Sequence, residues 1–141
     1  MINRDNMKKL YFLTLAILLC GSAYSQSPEK PVSVKESSFY KHYQMKYVYA
    51  MKYNDWRTAA NALYDLIVVD PADDSLKLNL AYLYFDNNVY PSALFISNDV
   101  LSRRPNNESA LSISAAAYEN MGLPNKAVEN YETLYLENND V

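Results

Sequence analysis

The sequence has few of the residues on which catalytic, metal and disulfide chemistry depend. Its 141 residues contain one cysteine, Cys20, one histidine, His42, and two glycines, Gly21 and Gly122. One cysteine excludes an internal disulfide and a cysteine-rich metal site. Two isolated glycines exclude a glycine-rich phosphate-binding loop. His42 lies among aromatic residues with no acidic or nucleophilic partner beside it, so we predict no catalytic residue, no metal, no cofactor and no enzymatic activity.

The chain also lacks an excess of basic residues. Its 13 Lys and Arg stand against 16 Asp and Glu, which gives a formal net charge of −3. Residues 1–25 include Arg4, Lys8, Lys9 and Asp5, so the rest of the chain retains 10 basic and 15 acidic side chains. Nucleic-acid binding needs a basic patch or stripe, and none is present. We therefore exclude nucleic acid as a partner.

The first 25 residues indicate a secretory signal peptide. Basic residues precede an apolar run from Leu10 to Cys20, and small residues follow at Ala23 and Ser25. The run is shorter than the roughly 20 residues that span a bilayer, and Ala23 and Ser25 are suitable for recognition by a signal peptidase. We predict cleavage after Ser25, so that Gln26 begins the mature chain. Export to the periplasm or cell envelope follows, with full secretion as a further destination.

Cys20 allows a second interpretation of the same segment. The sequence Cys20-Gly21-Ser22 resembles the start of a bacterial lipid-modified protein, although Leu19 stands where such signals carry a small residue. Lipidation at Cys20 would attach the protein to a membrane, whereas cleavage at Ser25 would leave no anchor. The sequence keeps both alternatives.

The remaining composition favours helices. Half of the residues are apolar, which is too many for a disordered chain. Glycine and proline are scarce, while Ala, Leu, Lys, Glu and Asn are plentiful. Residues 26–38 contain Pro28 and Pro31 and little apolar area, so we predict a flexible leader. From Phe39 the pattern becomes helical, and we predict a single all-α domain over residues 39–141.

A 34-residue spacing recurs through this domain, and positions related by it are called a column below. The columns with similar residues are Ala59, Ala93 and Ala127; Pro71 and Pro105; Ala81 and Ala115; Tyr84 and Tyr118; Leu66, Val100 and Leu134; and Asn54, Asn88 and Gly122. Small residues allow two antiparallel helices to approach closely, and the tyrosines fill the space where the hairpin opens. Proline ends the second helix, because its ring cannot continue the backbone hydrogen bonds.

This period and these residue types resemble the tetratricopeptide repeat. The resemblance implies an all-α, right-handed solenoid of about three antiparallel helix pairs, at approximately 39–71, 72–105 and 106–139. In that family the first helix of each pair lines the concave side of the stack, and the second covers the convex side. A solenoid of this kind serves many roles, so the fold alone does not name a function.

The helix boundaries follow from the columns and from local signals. We predict helices over residues 37–53, 56–69, 74–87, 90–103, 107–121 and 124–137. The candidate N-caps are Asp55, Asp73 or Asp74, and Asn106 or Asn107. Pro91 and Pro124 fall in first turns, where a missing N–H costs little.

The first pair allows two registers. A constant spacing places Tyr47 in the alanine column of Ala81 and Ala50 in the tyrosine column of Tyr84. A turn three residues shorter would instead align Ala50 and Tyr53 with those columns. Both registers leave Tyr47 and Ala50 near one helix face.

The resemblance implies a scaffold that binds another protein through its concave groove. Helical spacing gives the candidate groove residues Val48, Met51, Leu78, Tyr82, Phe85 and Glu119. Apolar and aromatic side chains there predict a seat for an extended peptide or a helix, with Tyr82 and Phe85 at its centre. A shift of one position in register would place some of these side chains in the core instead.

The last predicted helix carries apolar residues without an evident neighbour. Val128, Tyr135 and Leu136 remain after its core-facing positions are assigned, and no polar capping element follows. This edge predicts either a contact with a partner or another copy, or a longer repeat array. The alternatives to a peptide-binding scaffold are therefore a self-associating structural spacer and an accessory domain of a longer envelope protein or enzyme.

Overall fold

The structure, a computed structural model, describes residues 33–139 of the chain. Six α-helices form this part. They are α1 (Ser38–Lys52), α2 (Trp56–Val69), α3 (Asp74–Asp86), α4 (Tyr90–Arg103), α5 (Glu108–Asn120) and α6 (Pro124–Asn139). A 3-10 turn at Val34–Glu36 precedes them, and no strand occurs in this part of the chain. The all-α prediction is confirmed, and each helix begins and ends within two residues of the predicted position. The predicted signal peptide, with Cys20 and the Ser25 cleavage site, lies outside the described residues.

The helices pack in chain order as three pairs. Within the pairs, α1 contacts α2, α3 contacts α4, and α5 contacts α6. Each pair is joined by a three-residue turn, which makes two packed helices of this length antiparallel. Successive pairs meet through α2 with α3 and through α4 with α5, and α3 also contacts α5. The predicted solenoid is therefore present, and the second pair packs more extensively on the third than on the first.

The three hairpin turns have the same backbone geometry. Each contains one residue in the left-handed region, with φ of 56° at Asn54, 60° at Asn88 and 71° at Gly122. Each is closed by a hydrogen bond to the preceding helix, which Ala50, Tyr84 and Tyr118 accept in turn at their carbonyl oxygens. Their donors are the amides of Asp55, Val89 and Leu123, at 2.9, 2.8 and 2.9 Å. Ala50 therefore stands in the tyrosine column, and the constant spacing is the register of the first pair.

Side-chain caps begin several of the helices. The Asp55 carboxylate accepts from the Thr58 amide at 3.1 Å, and the Asn107 side chain accepts from the Ala110 amide at 2.9 Å. Asp73 accepts from the Ser75 amide at 3.0 Å. A cap of this kind stabilises a helix by about 1 kcal/mol, because it pairs an amide with no partner inside the helix. The structure thus selects Asp73 over Asp74, and Asn107 over Asn106.

The small-residue columns lie at the centre of the packing. Four alanines with no exposed surface occupy them, two on the first helices and two on the second: Ala81, Ala115, Ala59 and Ala93. Leu63, Leu66, Leu80 and Val100 fill the space between helices and are almost completely buried. Because an alanine has no side chain beyond Cβ, these columns let neighbouring backbones approach while the leucines close the remaining gaps.

Ion pairs fasten the end of α4 to the start of α3. The buried carboxylate of Asp74 lies 2.6 Å from Nη2 of Arg103 and 3.1 Å from Nε of Arg104. Lys77, one turn further along α3, pairs with Asp99 at 2.5 Å and holds the pKa of that carboxyl below its usual value. The two arginines therefore lie close enough to compensate the charge of the buried Asp74 carboxylate inside the packed pair.

Candidate protein-binding surface

The candidate groove residues fall into columns on the first helices of the three pairs. Val48, Tyr82 and Ala116 form one column, and Met51, Phe85 and Glu119 form the next. Both run across α1, α3 and α5, so a surface made from them crosses the repeats. We refer to these six residues together as the first-helix face.

The column of Val48 and Tyr82 faces outward. Both side chains are exposed, as is Met51 beside them on α1, while Ala116 is half-buried. The structure therefore places three apolar side chains of the first-helix face at the surface. An exposed apolar group costs free energy in water, which contact with a partner would recover.

Leu78 and Phe85 are placed differently from the others. Both are partly buried and pack against the core. The Phe85 ring also lies edge-on to Tyr90, with 5.6 Å between ring centroids. These two side chains present only part of their area at the surface, which agrees with the interpretation that some candidates belong to the core.

Glu119 is held by the neighbouring helix. Its carboxylate accepts a hydrogen bond from the Tyr131 hydroxyl of α6 at 3.2 Å. Partial burial and this carboxylate raise the pKa of Tyr131. Glu119 therefore supplies a fixed negative charge at the α5 end of the first-helix face.

A shallow concavity on α1 extends the surface beyond the predicted residues. It has a volume of about 390 Å³ and is lined by Gln44, Met45, Val48, Tyr49 and Lys52. Sequence reasoning named Val48 and missed Met45 and Tyr49. A comparison along the column could have found Tyr49, because Leu83 and Ala117, its equivalents, are apolar.

A second concavity lies on the outer side of α6. It also has a volume of about 390 Å³, and Val128, Tyr131, Glu132, Tyr135 and Leu136 line it. The structure thus brings together the three predicted edge residues, all of them exposed, and adds Tyr131 and Glu132. We refer to these five residues as the α6 edge.

Tyr84 and His42 are two titratable side chains that pack against neighbouring tyrosines. Tyr84 lies between α2 and α3, where its hydroxyl donates to that of Tyr64 at 3.3 Å. Burial raises the pKa of Tyr84 to about 12, so it stays neutral at ordinary pH. His42 is exposed and packs edge-on against Tyr43 at 5.4 Å. Within residues 33–139, no group of three or more His, Cys, Asp or Glu side chains lies close enough to hold a metal ion.

Among the described residues, no helix combines the length and apolar character that a membrane span needs. This finding concerns residues 33–139 alone.

Comparisons with known proteins support the fold. No protein-family model matches the chain, and no curated protein matches it in sequence. Among solved structures, the chain is similar to one described as the crystal structure of MamA protein, with a TM-score of 0.59 and 19% identity. The match covers 66% of this chain and 51% of that one, so the chain spans about half the length of the MamA structure. At this identity the likeness shows the fold alone.

The helix pairs, the repeated turns and this structural likeness together define the class. The described part of the chain has a tetratricopeptide-like helical-repeat fold, with three pairs stacked in chain order.

Proposed function

We propose that this chain is a non-catalytic scaffold that binds a segment of another protein on its first-helix face. The observation that carries the proposal is the exposed column of Val48 and Tyr82, two apolar side chains at equivalent places on the first helices of successive pairs. Aromatic side chains on a rigid helix bury much area with little loss of side-chain freedom, and they often dominate binding energy.

The side chains of the first-helix face limit which kind of protein segment can bind there. Val48, Met51 and Tyr82 offer apolar contacts on α1 and α3, while Lys52 and Glu119 place opposite charges toward the α1 and α5 sides. A bound segment would therefore carry apolar side chains toward α1 and α3, with a basic group toward Glu119. An extended peptide or one face of a helix meets these requirements.

The test compares two aromatic substitutions in affinity capture of partners from the source cells. Tyr82→Ala removes the central side chain of the first-helix face, and we expect partner recovery to fall about tenfold, as for a side chain worth roughly 1.4 kcal/mol. Phe95→Ala is the matched control, because Phe95 is an exposed aromatic on α4, a second helix. Circular dichroism checks that both variants are folded. Equal recovery with Tyr82→Ala and with the unchanged chain would contradict the proposal.

We also propose that the scaffold acts outside the cytoplasm, on the basis of the signal-peptide pattern in residues 1–25. Mass spectrometry of the mature protein tests this directly. An N-terminus at Gln26 supports cleavage after Ser25, and a diacylglyceryl group on an N-terminal Cys20 supports membrane attachment. An intact N-terminus that retains Lys8 and Lys9 would contradict export by either route.

A further inference from the structure

Two residues of the α6 edge, Val128 and Tyr131, occupy columns that are covered in the earlier pairs, whereas Glu132 and Leu136 lie in columns that stay exposed there. Val128 is 50% exposed, whereas Ala60 and Leu94, its equivalents on α2 and α4, are 3% and 8% exposed. Tyr131 is likewise exposed, whereas its equivalents Leu63 and Ser97 are buried. On α2 and α4 these positions lie where the next pair packs. Within the described residues nothing covers them on α6.

The outward side of α1 shows the complementary pattern. Tyr49 is 57% exposed, whereas Leu83 and Ala117, its equivalents on α3 and α5, are 7% and 0% exposed. Met45 is exposed as well; in its column, Asn79 on α3 is exposed and Ile113 on α5 is buried. The first helices of later pairs turn this side toward the preceding pair. We call Met45, Tyr49 and Lys52 the α1 edge. Within the described residues no pair covers Tyr49, and Lys52 lies at the rim, since its equivalents Asp86 and Asn120 are exposed.

The two edges are thus the two halves of one interface, which occurs twice inside the molecule. A second helix and the following first helix form it, as α2 with α3 and again as α4 with α5. The α6 edge belongs to a second helix and the α1 edge to a first helix. Continuity with the internal interfaces therefore indicates that the α6 edge of one molecule fits the α1 edge of another.

Charge distinguishes this pairing from a symmetric one. Helix α1 contains Lys41, Lys46 and Lys52 and no acidic residue. Helix α6 contains three glutamates, including Glu129 and Glu132, and a single lysine. Two α6 edges would bring like charges together, and so would two α1 edges, whereas α6 against α1 brings opposite charges together. Charge thus favours a head-to-tail arrangement.

The internal contacts also predict which residues would meet. At the α4–α5 interface, the Ser97 and Ser114 hydroxyls lie 2.8 Å apart. Moving one repeat further along the columns places Tyr131 at the position of Ser97, and the equivalent of Ser114 on α1 is Lys46. The same superposition would put the Tyr131 ring beside the Lys46 ammonium of the second copy, which pairs with Asp65 of its own molecule at 3.4 Å and can also contact an aromatic ring.

We propose that copies of this chain associate head to tail, with the α6 edge of one copy packed on the α1 edge of the next. This arrangement is heterologous, so each copy keeps one free edge of each kind, and the stack continues the internal repeat. Tyr82, the central side chain of the proposed partner-binding surface, lies outside both edges, whereas Lys52 belongs to the α1 edge and also flanks that surface. The proposal does not rest on the proposed function, because the columns from which it is argued are not those of the first-helix face.

Sedimentation velocity of the purified chain tests the proposal, from about 10 µM to about 1 mM, the range in which weak protein contacts become populated. We expect the weight-average mass to rise with concentration beyond that of a dimer. Association should weaken in high salt, because screening reduces the attraction between the edges. A monomer across the whole range would overturn the proposal.

Two substitutions, one at each edge, distinguish a head-to-tail stack from a symmetric dimer. Val128→Asp blocks the α6 edge and Tyr49→Asp blocks the α1 edge, and we expect each variant alone to associate at least tenfold more weakly. An equimolar mixture should form a dimer and stop there, because one variant retains an α1 edge and the other an α6 edge. Persistent dimers with Tyr49→Asp alone would overturn the head-to-tail arrangement and identify a symmetric contact between α6 edges.

Val68→Asp is the matched control for Val128→Asp. Val68 is 80% exposed on α2, and Ser102 in its column is exposed too, so no pair covers this position. We expect Val68→Asp to leave the mass distribution unchanged. If Val68→Asp and Val128→Asp weaken association equally, the loss reflects added charge on the molecule, and the proposed edge contact fails.

Discussion

Ser97 and Ser114 occupy the centre of the interface between the second and third pairs. In the same two columns, the interface between the first and second pairs has Leu63 and Leu80, both buried. The two serine hydroxyls bond each other, and Ser97 also bonds the Ala93 carbonyl oxygen at 2.9 Å. A buried hydroxyl without a partner is costly. Each serine hydroxyl therefore supplies the hydrogen-bond partner that allows the other to be buried in the core.

A double-mutant cycle measures this dependence. Ser97→Ala leaves the Ser114 hydroxyl without its partner, and we expect the free energy of unfolding to fall by roughly 1–3 kcal/mol. The double change Ser97→Ala with Ser114→Ala removes both polar groups, so it should cost less than the two single changes together. Urea denaturation provides the three values. Strict additivity would show that the hydroxyls are not coupled.

At the scale of the helices, the hairpin turns set the repeat length. Asn54, Asn88 and Gly122 share a left-handed backbone, and the equivalent hydrogen bonds to Ala50, Tyr84 and Tyr118 close the turns. Asparagine and glycine are the residues that adopt this conformation most readily. The constant turn length keeps every helix in register with its equivalent in the next pair, so equivalent residues fall on the same face of each pair.

Substitutions at the third turn test the backbone requirement. Gly122 has φ of +71°, and a Cβ added there would meet no atom within 4 Å, so Gly122→Ala introduces backbone strain without a steric clash. We expect it to lower the free energy of unfolding by about 1 kcal/mol. Gly122→Asn should cost less, since Asn88 adopts the same geometry. Thermal unfolding measures both, and an unchanged melting temperature for Gly122→Ala would contradict the role of this turn.

At the scale of the whole molecule, stability depends on contacts between neighbouring helices. Helices α2, α3, α4 and α5 contact helices of their own pair and of a neighbouring pair, although α2 packs less extensively on the second pair than α4 does on the third, whereas α1 packs mainly on α2, and α6 on α5. In a solenoid, stability is approximately the sum of such nearest-neighbour contributions. Local opening of the end helices therefore costs less free energy than local opening of the central helices.

Hydrogen exchange would detect this gradient. We expect the backbone amides of α3, α4 and α5 to be the best protected, and those of α1 and α6 to exchange faster at low protein concentration. Raising the concentration should increase protection in α1 and α6 selectively if copies stack end to end. Equal protection in all six helices would indicate a single cooperative unit instead.

Much of the fold could be predicted from the sequence because the repeat depends on local sequence signals. Alanine columns, N-cap residues and turn residues act within a few positions of one another, and α2 and α4 begin and end at the predicted residues. The candidate binding surface was harder to predict from the sequence than the fold. A helix has a continuous circumference, so neighbouring faces differ by one position, and Leu78 and Phe85 proved to be partly buried while Val48 and Tyr82 are exposed.

The sequence by itself determined the helical class, the repeat length, the helix boundaries and the residues near each face, because these depend on spacing and local chemistry. Only the tertiary structure decided the register of the first pair, the pairing of Ser97 with Ser114, and the attachment of Glu119 to Tyr131. It also decided that Met45 and Tyr49 line the same concavity on α1 as Val48. Burial depends on what packs against a helix, and residues far apart in the chain supply that neighbour.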